Sequence, residues 1–228
     1  MKIGIDCRTV SALGGIGEYS RQLVKRIIEQ NDLDQLVLFF ESSDLVKHFQ
    51  HHNVVIKIIP FSRYRRFLPI IYSQLIVPLF FLLENCSVML FCANVAPYLY
   101  RKKFVAVIHD LAVYKFPQYF PDKFFHFDRW FLVPSTLHRA VKLIAVSHST
   151  KNDIVSLFRI SSDKIEVIHE GGDFFVFDQG EKTILNNFSF TRKIILFLGT
   201  IEPRKNILNL LSAYKKLVTI NNCDADLV

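Results

Sequence analysis

Apolar residues run through this chain in two alternating rhythms. Short runs rich in Val, Ile, Leu and Phe occur at Lys2–Asp6, Gln35–Phe40, Val54–Ile59, Val88–Phe91, Phe104–Ile108, Lys142–Val146 and Lys164–Ile168. They lack polar alternation, as expected of strands covered on both faces. Longer segments between them carry apolar residues at helical spacing: Gly17–Gln30, Asp44–His51, Leu68–Leu83, Pro121–Arg139 and Ser149–Phe158. Strand and helix alternate throughout. That order predicts an α/β fold, a doubly wound Rossmann-like domain with a parallel sheet.

The pattern breaks after Gly172. Residues 173–191 mix Phe, Asp, Asn and Lys without periodicity and read as a linker. A strand (Lys193–Leu198) and a helix (Arg204–Ile220) follow, and Asp226-Leu-Val228 reads as the start of another strand. The expected organisation is therefore a first domain over 1–173, a linker over 174–191, and the start of a second Rossmann-like domain over 192–228. One helix and one or two strands do not close a core, so the second domain is expected to be incomplete.

Composition narrows the partners. The chain has 228 residues, half of them hydrophobic, and a formal net charge of +7. Such a balance suits anionic partners such as nucleotide phosphates or a membrane surface. The cations are scattered and no nucleic-acid-binding motif is present, so nucleic acid is not expected. Four cysteines, Cys7, Cys86, Cys92 and Cys223, form no CxxC pair and read as free thiols in a reducing cytosol. Lys2 opens a predicted strand directly after Met1, so no signal peptide is expected. Phe67 to Leu83 carries no charge, but its two prolines and short length favour a buried or interface-leaning helix over a membrane span. His48, His51 and His52 have helical spacing for a metal, but no matching Cys or carboxylate set supports one.

Ligands of open α/β sheets bind beyond the carboxyl ends of the strands. Six of the eight glycines fall just after predicted strands: Gly14, Gly15, Gly17, Gly171, Gly172 and Gly199. Glycine there permits positive φ and close backbone approach. The Leu13-Gly-Gly-Ile-Gly-Glu-Tyr19 turn reads either as a phosphate or sugar cradle or as a plain turn; it is neither GxGxxG nor a P-loop. His109 ends a strand beside Asp110, which either fixes its tautomer or meets a ligand. Ser147 or Ser149 reads as a helix N-cap, or as a ligand contact. Glu170 lies in the turn His169-Glu-Gly-Gly-Asp173. In Phe197-Leu-Gly-Thr-Ile-Glu-Pro-Arg-Lys-Asn206, Arg204 and Lys205 sit where a helix is expected to open. Cations are disfavoured at that end. They read either as an anion site or as solvated surface charges.

The wording Gly-Thr-Ile-Glu-Pro-Arg-Lys-Asn closely resembles the donor-binding motif of family 4 glycosyltransferases, retaining enzymes of the GT-B fold. Ile-His-Asp-Leu-Ala-Val-Tyr-Lys-Phe-Pro, from Ile108, is similar to another family segment, and the similarity extends from Met1 to about Ile220. The resemblance implies transfer of a sugar, with mannose one option, from a nucleotide-sugar to a glycan or lipid-linked acceptor in polysaccharide or lipopolysaccharide assembly. It implies no metal and no cofactor beyond that co-substrate. Independently of it, Arg63-Tyr-Arg-Arg-Phe67 and Arg101-Lys-Lys103 beside the long apolar stretch read either as a solvated loop or as an anionic membrane interface, and the expected place is the cytoplasm, peripheral at the inner membrane face. By match, Arg204 and Lys205 hold the donor diphosphate with Gly15 and Gly199, and His109 is the catalytic residue at the donor sugar. Gly14, Gly17, Asp110, Ser147 and Glu170 line the acceptor side of the cleft. Glu170 stands where the family commonly has Asn or His. The family's Glu-x7-Glu region lies further on than Val228, so the chain by itself is expected to be inactive. The alternative is a non-catalytic module that binds acceptor or partner.

Overall fold

The computed structural model describes residues 1–120, 128–172, 192–221 and 223–228. The start of the predicted helix Pro121–Arg139 and the predicted linker 174–191 lie outside them. The chain divides into two compact units, Met1–Gly171 and Gly172–Val228.

The first unit holds one sheet of seven parallel strands: β1 (Lys2–Asp6), β2 (Gln35–Phe40), β3 (Val54–Ile58), β4 (Val88–Phe91), β5 (Phe104–Ile108), β6 (Lys142–Ala145) and β7 (Ile165–Val167). Their spatial order is β3-β2-β1-β4-β5-β6-β7. Ile3 pairs with Leu36 on one side and Val88 on the other. The order therefore reverses direction between β1 and β4, the place where doubly wound sheets open a crevice at their carboxyl edge.

Each strand sends alternate side chains to opposite faces. On β2, Leu36, Leu38 and Phe40 join Ile5, Val24 and Ile28 in one core, while Val37 and Phe39 join a second core on the other face. Helix α1 (Gly15–Gln30) covers the first face through Val24 and Ile28. The second face is covered by α2 (residues 69–83), α3 (residues 128–139) and α4 (His148–Phe158), through Phe81, Leu137 and Ile154. This two-sided burial explains the unbroken apolar runs in the sequence.

Two helices differ from expectation. The predicted helix Asp44–His51 is only a 3-10 turn over Val46–Phe49, so His48, His51 and His52 do not share a helix face. Helix α2 widens to a π turn at Tyr72–Ile76 before resuming as α at Val77–Leu83. No helix among the described residues is long and apolar enough to cross a membrane.

The second unit pairs β8 (Lys193–Ile195) in parallel with β9 (Ala225–Leu227), connected through α5 (Ile207–Asn221). The predicted strand Lys193–Leu198 is regular only to Ile195.

Candidate functional site

The carboxyl edge of the first unit's sheet gathers the predicted residues around His109. Strand β5 ends at Ile108, and His109 takes up the next position with its side chain only 8% exposed. Its backbone is held from both sides. Asn94 Oδ1 accepts from the His109 N–H at 2.9 Å, and Thr150 Oγ1 donates to the His109 carbonyl at 3.0 Å. The ring is held as well. Nε2 lies 2.9 Å from the Cys92 carbonyl, Nδ1 lies 3.0 Å from Glu170 Oε1, and Tyr19 packs edge-on at 4.8 Å. A carbonyl can only accept, so Nε2 carries a hydrogen. An ionised Glu170 also accepts, so both contacts are satisfied together when the ring carries two hydrogens.

These contacts sort the predicted roles. Asp110 does not fix the His109 tautomer: its Oδ1 accepts from the Ala112 N–H at 3.0 Å, at the start of a single helical turn, Ala112–Lys115. Glu170, from the turn after β7, occupies that place instead. Ser147 is the N-cap of α4, accepting from the Thr150 N–H at 3.1 Å. Its hydroxyl also meets Thr150 Oγ1 at 3.0 Å, so the cap steadies the group that holds the His109 carbonyl. Sequence reasoning passed over Asn94, Thr150 and Tyr19. A signal existed for Asn94, a polar residue directly beyond the apolar run of β4.

The glycine turn before α1 resolves into different demands. Gly14 caps the helix at φ 98°, a left-handed value that favours glycine. A Cβ on Gly17 would lie 1.9 Å from the Ala12 carbonyl oxygen. Gly15 has open space around its Cβ position and an ordinary φ. Among the described glycines only Gly14 has a positive φ, so close approach, not left-handed backbone, is what the other strand-end glycines offer.

At the crevice between β1 and β4 a cavity of about 740 Å³ opens, within the roughly 300–1,000 Å³ of small-molecule sites. Asp6, Arg8, Glu41, Tyr72, Phe91 and Cys92 are among its walls. Arg8 Nε and Nη2 donate to the two oxygens of Asp6 at 2.8 and 2.6 Å. Burial works against the Arg8 charge, but Asp6 outweighs it and holds the guanidinium above its ordinary value. Burial pushes the Cys7 and Cys92 thiols well up, which leaves them poor nucleophiles. Among the described residues no group of three His, Cys, Asp or Glu side chains could hold a metal.

In the second unit the predicted anion motif has a different backbone. Pro203–Lys205 form a 3-10 turn, Asn206 turns left-handed at φ 54°, and α5 begins only at Ile207. Arg204 and Lys205 thus precede the helix and do not open it, because Pro203 starts a separate turn closed by the Asn206 N–H on its carbonyl at 3.0 Å. Arg204 also has a local partner, Glu202, at 2.8 Å. The Thr200 hydroxyl and then Arg204 hold the Glu202 carboxyl below its ordinary range. The Lys205 side chain is exposed and makes no hydrogen bond or ion pair with a described residue; its backbone N–H donates to the Glu202 carbonyl at 3.0 Å. Gly199 is exposed, and a Cβ there would meet the Phe197 ring at 3.2 Å.

Comparison with known proteins follows this geometry. The sequence profile described as Glycosyltransferase Family 4 matches residues 13–174. The O-antigen chain mannosyltransferase B of Escherichia coli is 26% identical over 224 residues, a match covering 90% of this chain and 57% of that protein. The chain thus spans little more than half the length of this curated relative. Sucrose-phosphate synthase from Thermosynechococcus elongatus superposes with a TM-score of 0.65 at 14% identity, over 100% of this chain and 61% of its own. The lipopolysaccharide outer core galactosyltransferase WaaB, in its apo form, gives 0.54 at 14%, over 100% and 60%. A candidate UDP-N-acetylglucosamine 2-epimerase from Listeria monocytogenes gives 0.52 at 12%, over 99% and 61%. At such identities the likeness speaks for the fold alone.

Proposed function

Because the chain belongs to glycosyltransferase family 4, we propose that it serves sugar transfer from a nucleotide-sugar to a glycan or lipid-linked acceptor of cell-surface polysaccharide. Mannose is the first candidate sugar, from the name of the Escherichia coli relative. The observation that carries this reading is the clamp on His109. A nearly buried imidazole at a strand end, with backbone and ring fixed by Asn94, Thr150, Cys92 and Glu170, is built for position. Such preorganisation is what a transition state rewards.

The roles follow by unit. In the first, His109 meets the transferred sugar, and the carboxyl edge with Gly14, Gly17, Asp110, Ser147 and Glu170 faces the acceptor. The first-turn N–H groups of α1, with Gly15 bare of side chain, suit a phosphate oxygen. In the second, Lys205 with Arg204 and Gly199 holds the diphosphate. Retention at the anomeric carbon and independence from metal belong to the same proposal, with basic side chains and backbone N–H groups stabilising the departing diphosphate.

We place the protein in the cytoplasm, peripheral at an anionic membrane face. Phe67, Leu79 and Leu83 are 76%, 59% and 77% exposed along and beside α2. Arg65 and Arg66 precede that helix, and Lys102 binds Asn85 just beyond its other end. Apolar surface framed by cations suits an anionic interface.

Calorimetry of the chain with a nucleoside diphosphate tests the donor side. Lys205→Ala is expected to weaken binding by one to two decades, the effect of losing about 1.5–3 kcal/mol of charge-assisted contact. On the complete protein, His109→Ala is expected to lower turnover far more than donor KM. Unchanged diphosphate binding by Lys205→Ala, or full turnover by His109→Ala, removes the corresponding assignment.

A further inference from the structure

Two residues in the wall of the cavity at the β1–β4 crevice each carry a polar atom with no partner among the described residues. Glu41 Oε1 and Tyr72 Oη are both buried, and neither has a hydrogen-bond partner among the described residues. Tyr72 as a whole is 1% exposed. Buried polar groups are nearly always paired, and each exception calls for a reason. Here the two exceptions share one cavity wall. They are also held in place. Arg65 Nη1 fixes the other Glu41 oxygen at 2.7 Å, and the π turn of α2 buries the Tyr72 ring against the second core.

We propose that this cavity receives the terminal sugar of the acceptor, and that Glu41 and Tyr72 select it by reading one of its hydroxyl groups. The inference rests on the transferase reading above. The chemistry of the two atoms chooses the ligand group. Glu41 Oε1 needs a donor. Tyr72 keeps its proton across the physiological range, because burial and then the Glu41 charge push its hydroxyl up to about 12, so it offers a hydrogen and needs an acceptor. A hydroxyl does both at once. An ionised phosphate or carboxylate has no hydrogen to give Glu41 Oε1, and an ammonium has no lone pair to take one from Tyr72. Phe91, Val95 and Leu132 supply apolar wall for the C–H face of a ring. Cys92 lines the cavity and also accepts from His109 Nε2 through its carbonyl, so a ring seated here lies one residue from the clamped imidazole.

The test uses the 228-residue chain and ligand-observed NMR with the methyl glycosides of mannose, glucose, galactose and N-acetylglucosamine. The best binder is then compared with its monodeoxy analogues. One deoxy position is expected to lose about tenfold to a hundredfold in affinity. Tyr72→Phe, which keeps the ring, and Glu41→Gln are expected to lose about as much toward the parent sugar, yet to bind that one deoxy analogue as the wild type does. Such non-additivity marks a direct contact. If the wild type binds a glycoside and both variants bind it equally well, this inference falls and the transferase reading stands. If no glycoside binds the wild type, the acceptor role of the first unit falls with it.

Discussion

Gly15 and Gly17 stand two residues apart in one turn and answer to different masters. A methyl at Gly17 collides with the Ala12 carbonyl at 1.9 Å, while at Gly15 it meets nothing within 4 Å. Gly17→Ala is therefore expected to destabilise the chain by about 1–3 kcal/mol, the usual cost of overpacking. Gly15→Ala is expected to leave the urea midpoint unchanged or slightly higher, since alanine favours the helix. Equal midpoints for the two variants would contradict this division. The position of His109 at a strand end was legible in the sequence, because the apolar run before it sets where β5 stops. Its partner Glu170 was not: the two are brought to 3.0 Å only by the pairing of β5 with β6 and β6 with β7. Arg204 shows the converse. A cation that looked unsupported from the sequence has its partner two residues back, at Glu202, once the turn is seen to be 3-10.

Helices α2 and α3 share a device that periodicity alone does not reveal. In α2 a π turn over Tyr72–Ile76 precedes the α segment carrying Pro78, and in α3 a π turn over Asp128–Leu132 precedes the segment carrying Pro134. A proline inside a helix lacks an N–H and crowds the carbonyl four residues back. Those carbonyls, of Gln74 and Trp130, fall inside the π turns, where the wider winding makes room. The apolar pattern marked where these helices are, and the prolines marked where they deviate. Glu84 ties two strands together, 2.6 Å from Lys57 on β3 and 3.1 Å from Lys2 on β1. The Lys57 hydrogen bond above all, followed by that of Lys2, holds its carboxyl below the ordinary range. A depressed carboxyl stabilises the fold above its unfolded value and ceases to do so as pH falls through its folded value. Glu84→Gln is thus expected to cost about 1 kcal/mol at pH 7, with wild type and variant converging in acid as the pH falls through the lowered folded value. A gap that persists into acid in thermal melts sinks the electrostatic account.

Over the molecule as a whole the two units are built to different standards. The first buries both faces of seven strands. Among its described residues the second has a two-stranded sheet and one α-helix, with Leu198, Ile201 and Leu208 exposed at 91%, 92% and 79%. Two strands are marginal alone, so amides of β8, β9 and α5 are expected to exchange with deuterium much faster than those of β1, β4 and β5. Uniform protection across both units would overturn that expectation. The order β3-β2-β1-β4 has a further consequence during synthesis. Strand β1 meets β2, and β2 meets β3, early, but the other edge of β1 waits for β4, since Ile3 pairs with Val88. A chain leaving the ribosome can thus complete one half of the sheet while its seam lies open. The floor of the crevice between β1 and β4 is the last edge of β1 to be covered, and until β4 docks it is a strand edge free to pair with the wrong neighbour.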